Sequence, residues 1–229
     1  MIGTREEIDV VLLSLKVALW AVAASLPPAI AVGFILARKR FPGRALFDAA
    51  VHLPLVLPPV VVGFVLLALF GREGPLGSVL DKAGIVFAFR WTGAALAAAI
   101  MGFPLMVRAV RLAIESVDTR LESAARTLGA SRIRVFFTVT LPLAWPGVLT
   151  GALLAFARGL GEFGATITFV SSIPGETQTL PLAIYSFTQI PGRESQVVQL
   201  CILSVALSLG ALALSEWLMR RSGVGLRHG

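Results

Sequence analysis

Apolar residues fall along this chain in long runs separated by short polar, basic or glycine- and proline-rich segments. Five runs stand out, at about 10–37, 46–70, 92–113, 147–170 and 197–219. Each is long enough to cross a hydrocarbon core of ~30 Å as a helix rising ~1.5 Å per residue. Trp91, Trp145 and Trp217 stand near run ends, where amphipathic rings favour the membrane interface. The predicted fold is all-α: a polytopic membrane protein of five transmembrane helices, with residues 1–229 forming a single domain. Between the last two runs, the segment 179–189 reads equally as a short surface helix or a plain loop.

Composition supports a bilayer over water. Hydrophobic residues make up 56% of the chain and charged residues 14%, with a mean hydropathy of +0.85. A soluble domain carries roughly 25% charged residues. The net charge of +7 raises nucleic acid as a partner, but basic residues collected in cytoplasmic loops explain it, and no nucleic-acid partner is expected. With the N-terminus outside, the inner segments hold thirteen Lys and Arg and the outer segments five, leaving aside Lys16 and Arg158 within spans. The positive-inside rule therefore predicts an N-out, C-in topology. Cys201 is the only cysteine, so no intrachain disulfide forms. The opening residues include Arg5, Glu6, Glu7 and Asp9, unlike the basic start of a cleavable signal peptide.

The most informative polar segment lies between the third and fourth runs, from Arg108 to Trp145. Helix formers fill 119–128, with Glu122 and Arg126 spaced as an i,i+4 pair. Gly129 stands where a left-handed residue would end that helix. A second basic and apolar stretch occupies 131–137, and Pro142 and Pro146 introduce the next span. Ala124 and Ala125 leave one flank without bulk, open to close approach by another protein. Three readings compete: an ordinary solvated loop, a DNA-binding helix-turn-helix, and a docking helix for an ATPase. A DNA reader needs a third helix and a core of its own, for which a loop tethered at both ends leaves little room. The docking helix is favoured.

The segment 115–142 resembles the EAA loop of bacterial ABC importer permeases. That pattern is Glu-Ala-Ala, three residues, Gly, nine residues, then Ile-x-Leu-Pro; Ala124, Ala125, Gly129, Leu141 and Pro142 match it here. Ser123 stands where the family has Glu, Glu122 lies one place earlier, and Val139 replaces the Ile. The segments HLPLVLPPVVVGF, FPLMVRAVRLA and FARGLGEFGATITFVSSIPGETQTLP, starting at His52, Phe103 and Phe156, are similar to molybdate-transport permeases over nearly the whole chain. Sulfate and tungstate permeases share the GEFGA-type segment. The resemblance implies a type I ABC importer transmembrane domain in the inner (plasma) membrane, homodimeric around a central pore. It also implies two cytoplasmic ATPase subunits and a periplasmic or surface-tethered oxyanion-binding protein as partners.

No G-x-x-x-x-G-K-[ST] phosphate loop occurs, so the chain itself is not expected to be an enzyme or to hold a cofactor; a partner subunit would bind ATP. No cluster has metal-ligand spacing, and neither His52 nor His228 has a nucleophile beside it. Arg158 and Glu162 lie one helical turn apart in the fourth run. Each intramembrane charge costs ~2.5–3.5 kcal/mol on insertion scales, so the pair must face protein or water. It reads either as a self-neutralising ion pair or as an oxyanion path in which Glu162 holds Arg158. Pro58-Pro59 removes two backbone donors mid-span, which marks a passive kink or a gate. Asp48 and His52, lower on that span, carry no specific assignment. The rival from another class is an ion-coupled secondary transporter, with Glu162 as the coupling carboxylate.

Overall fold

The computed structural model describes residues 5–221, with side chains described to residue 211 and at 213. Trp217 and the C-terminal arginines of the charge count therefore lie outside the described side chains. Eleven α-helices follow one another among the described residues: α1 Arg5–Arg38, α2 Arg44–Val56, α3 Pro59–Phe70, α4 Gly77–Lys82, α5 Trp91–Glu115, α6 Thr119–Thr127, α7 Arg132–Val135, α8 Leu141–Leu160, α9 Gly164–Val170, α10 Leu180–Thr188 and α11 Glu194–Arg221. A π-helical turn, Phe136–Thr140, joins α7 to α8.

Two long helices form the spine. Trp91, at the start of α5, meets α1 through Lys16, whose Nζ lies 3.6 Å from the indole centroid, and through Trp20. At the other end Arg38 donates to the Val117 carbonyl at 2.9 Å, so α1 and α5 run parallel. Helix α8 returns antiparallel to α5 along a stripe of small residues. Gly147 faces Ala113, Gly151 faces Met106 and Ala109, and Ala155 faces Gly102, while Gly159 lies against Ala98 and Ala18. Small residues at every fourth position let backbones approach where lipid supplies no hydrophobic drive between helices. A Cβ on Gly147 would collide with Ala113.

By length and composition four helical stretches suffice to cross a membrane: α1, α5, Arg132–Leu160 and Glu194–Ala211 of α11. The fifth crossing predicted from sequence, 46–70, is not a single helix. Helices α2 and α3 meet at an angle of 110°. The cause is local. Each proline restricts the residue before it to extended backbone, and Leu57 (φ −70°, ψ 141°) and Pro58 (φ −54°, ψ 132°) both adopt it. Pro59 then begins α3 at a position where no backbone donor is needed.

The fourth span also departs from expectation. It starts earlier, because α7, the π turn and α8 form one continuous helical path from Arg132 to Leu160. Pro142 offers no N–H to the Thr138 carbonyl, and the wider turn just before it accommodates that loss. The span ends at Leu160, and Gly161, Glu162 and Phe163 separate it from α9. The segment 179–189 is helical, as α10, and packs Leu180, Ala183 and Phe187 with Val10 and Leu200.

Candidate functional site

The loop between α5 and α8 builds a compact platform. Asp118 caps α6 by accepting from the Arg120 amide at 2.8 Å. At the other end Gly129 has φ +86°, the left-handed conformation read from the sequence. Its N–H reaches the Arg126 carbonyl at 2.9 Å, and the Ala130 N–H reaches that of Ala125 at 3.1 Å. Those two bonds make a Schellman cap, in which glycine is favoured because it carries no Cβ. Ser123 and Ala124 are exposed and Ala125 is half-buried. Leu128 (89% exposed) and Ile133 (73%) present bare apolar side chains beside them. Val139 lies in the π turn, Leu141 packs into the core beneath, and Pro142 is exposed.

Glu122 does not pair with Arg126. It is 6% exposed and turned inward. Its Oε1 accepts from Arg38 Nε at 3.1 Å, Arg38 Nη2 at 2.9 Å and Thr140 Oγ1 at 3.0 Å. The i,i+4 spacing on α6 lost to a bidentate guanidinium from α1, because burial of a carboxylate demands several strong donors. Arg38 and Thr140 are the residues that the sequence reading missed, and 84 positions separate Arg38 from its partner.

Within the span region the two chain breaks abut. A Cβ on Gly164 would stand 2.7 Å from Pro59 Cβ, and Gly63 lies against the Ala165 backbone. Pro58, Pro59, Arg158 and Glu162, separate in sequence, thus lie around one junction. Glu162 serves two partners there. Its Oε1 accepts from the Ala165 amide at 2.8 Å, capping α9, and its Oε2 meets Arg158 Nη1. The Glu162 side chain is 1% exposed and that of Arg158 is 29% exposed. The carboxylate is therefore spent on structure, while the guanidinium keeps an open side.

Asp48 and His52 form a second polar group with α5. Asp48 accepts from Arg111 at 3.0 Å, Arg111 donates to Glu115 at 2.8 Å, and His52 Nδ1 lies 2.8 Å from the Asp48 carbonyl oxygen. Among the described residues no group of three His, Cys, Asp or Glu side chains is placed to hold a metal ion.

The family model of binding-protein-dependent transport system inner membrane components matches residues 29–226. The chain is 61% identical over 223 residues to the molybdenum transport system permease protein of Escherichia coli K12, covering 97% of each sequence. It is 56% identical to the corresponding protein of Haemophilus influenzae, covering 97% of this chain and 98% of that one. Among solved structures it resembles a chain of a bacterial ABC transporter involved in the import of the acidic polysaccharide alginate, with a TM-score of 0.75. Identity there is 16%, over 96% of this chain and 80% of the other, and the likeness is one of fold.

Proposed function

Because the chain belongs to the family of binding-protein-dependent transport system inner membrane components, we propose that it is the permease subunit of an ATP-driven importer that carries molybdate. The observation that carries this reading is end-to-end likeness to molybdenum transport permeases at 61% identity. The chain is the membrane component of such a system, and the ATPase is a separate subunit. Two copies enclose the pathway, with the N-terminus outside and the α6 platform in the cytoplasm.

The geometry supports a division of labour. Helix α6 offers small and apolar residues, Ala124, Ala125 and Leu128, to an ATPase surface, and its capped ends keep it helical without a partner. The junction of Pro58, Pro59, Arg158 and Glu162 is the gate. There α3 and α9 move as short units, because the breaks uncouple them from α2 and α8. Arg158 has a charged, planar fork suited to a tetrahedral oxyanion, and Glu162 fixes its orientation.

The test is to purify the chain with its ATPase and measure ATP hydrolysis stimulated by binding protein loaded with molybdate, tungstate or sulfate. Stimulation greatest with molybdate is the expected result. Equal stimulation by all three would remove the anion assignment, and no stimulation by any would remove the importer reading. Gly129→Val, which forces a β-branched residue into a left-handed cap, should insert normally yet weaken ATPase capture. Ala125→Glu should do the same by obstructing the contact. Normal coupling in both variants would move the docking surface elsewhere.

A further inference from the structure

Between the C-terminal end of α1, helix α6 and the π turn runs a groove of about 710 Å³. Its two ends differ in chemistry. One end is lined by Phe34 and Ile35 of α1 and by Phe137, which is 60% exposed. Phe34 and Ile35 belong to a helix apolar enough to span a bilayer, so that end lies level with acyl chains. The other end is lined by Lys39, Arg126 and Arg132, all exposed and, among the described residues, without an anionic partner. The single acid on the wall, Glu122, is already satisfied by Arg38 and Thr140. Three uncompensated cations therefore face an apolar slot at the level where headgroups meet hydrocarbon.

We propose that this groove binds one anionic phospholipid, its phosphate held by Lys39, Arg126 and Arg132 and an acyl chain lying along Phe34, Ile35 and Phe137. The charge and the order of chemistry along the groove both match. Basic pockets between spans on a membrane's basic side select anionic headgroups, and Arg binds phosphate through paired donors. An apolar wall alone would accept any lipid; the unpaired cations supply selection. Bound there, the lipid touches both α1 and the loop that carries α6, and its occupancy biases how firmly that loop is held. The inference depends on the chain lying in a membrane, not on which solute it carries.

The experiment reads lipid directly, apart from transport. The intact chain is released from nanodiscs of equal phosphatidylglycerol and phosphatidylcholine and weighed by native mass spectrometry, with and without its ATPase bound. The expected result is one retained phosphatidylglycerol per chain in both forms. Each of Lys39→Gln, Arg126→Gln and Arg132→Gln should weaken retention about fivefold, and the triple variant should fall to the phosphatidylcholine background. Ala31→Phe, which fills the apolar end from an exposed position on α1 without changing charge, should also release the lipid. Undiminished retention in the triple variant overturns the proposal. So does undiminished retention in Ala31→Phe, because the acyl chain would then lie elsewhere. Loss of the lipid from the wild-type chain whenever the ATPase binds overturns it too, since the ATPase would then be the occupant.

Discussion

Two proline pairs lie within the apolar runs of this chain, and only one of them breaks a helix. Pro27-Pro28 sits in the middle of α1, which continues unbroken from Arg5 to Arg38. Pro58-Pro59 separates α2 from α3 by 110°. Covalently the two pairs are alike: each removes two backbone donors and crowds two carbonyls one turn earlier. The difference is in what holds the flanks. Ala21, Ser25 and Ala29 are buried on either side of the first pair, while both prolines face outward, so packing keeps the helix continuous through the weakened turn. Helix α2 buries none of its residues. Beyond the second pair, α3 is seated on α9 through Pro59 and Gly63, which sets its direction independently. A proline pair permits a break, and tertiary contacts on the two sides decide whether it happens.

That account is easiest to break at the seat of α9. Arg158→Gln would leave the buried Glu162 carboxylate without its cation, at about 3–5 kcal/mol. The purified protein should lose monodispersity at much lower temperature, whereas Arg158→Gln with Glu162→Gln should recover most of the loss. If the double variant folds but imports poorly, the open side of Arg158 is part of the pathway; near-normal uptake would leave only an ion pair. Gly164→Leu should come next, at about 1–3 kcal/mol of overpacking against Pro59, read as a lower melting temperature and a disturbed α3–α9 contact. Pro58→Ala with Pro59→Ala tests the proposed gate. Assembly should be near normal while uptake falls on the order of tenfold, an equilibrium shift of about 1.4 kcal/mol. Unchanged uptake would show that the break is passive. Smallest of all in its effect on uptake, Pro27→Ala with Pro28→Ala should leave transport unaltered and raise the melting temperature, since each proline withholds a helix donor. A transport defect there would mean that α1 bends in use, and the contrast between the two pairs would fail.

Much of the fold was legible because bilayer physics leaves few options. The runs at 10–37 and 92–113 correspond to α1 and α5 within a few residues, since uninterrupted apolar length admits little besides a helix. Gly129 was legible for a similar reason: helix formers, then glycine, then a second stretch specify a left-handed cap. The two breaks were legible only in part. Pro58-Pro59 marks a weak point, but its angle depends on α9, a hundred residues along the chain. The break at Gly161 had a local signal in the glycines at 159, 161 and 164. The partner of Glu122 left no local trace, because Arg126 satisfies the spacing rule and Arg38 satisfies the burial.

The buried contact of Glu122 has a mechanical consequence. Its carboxylate ties α6 at once to the end of α1, through Arg38, and to the π turn ahead of α8, through Thr140, while Arg38 also grips the Val117 carbonyl ahead of α6. Held through one buried carboxylate by side chains from both neighbours, α6 is less free to roll or tilt than a loose loop. A torque applied to its exposed face is divided between two long helices that run in opposite directions, so a push on the platform becomes a shear between them.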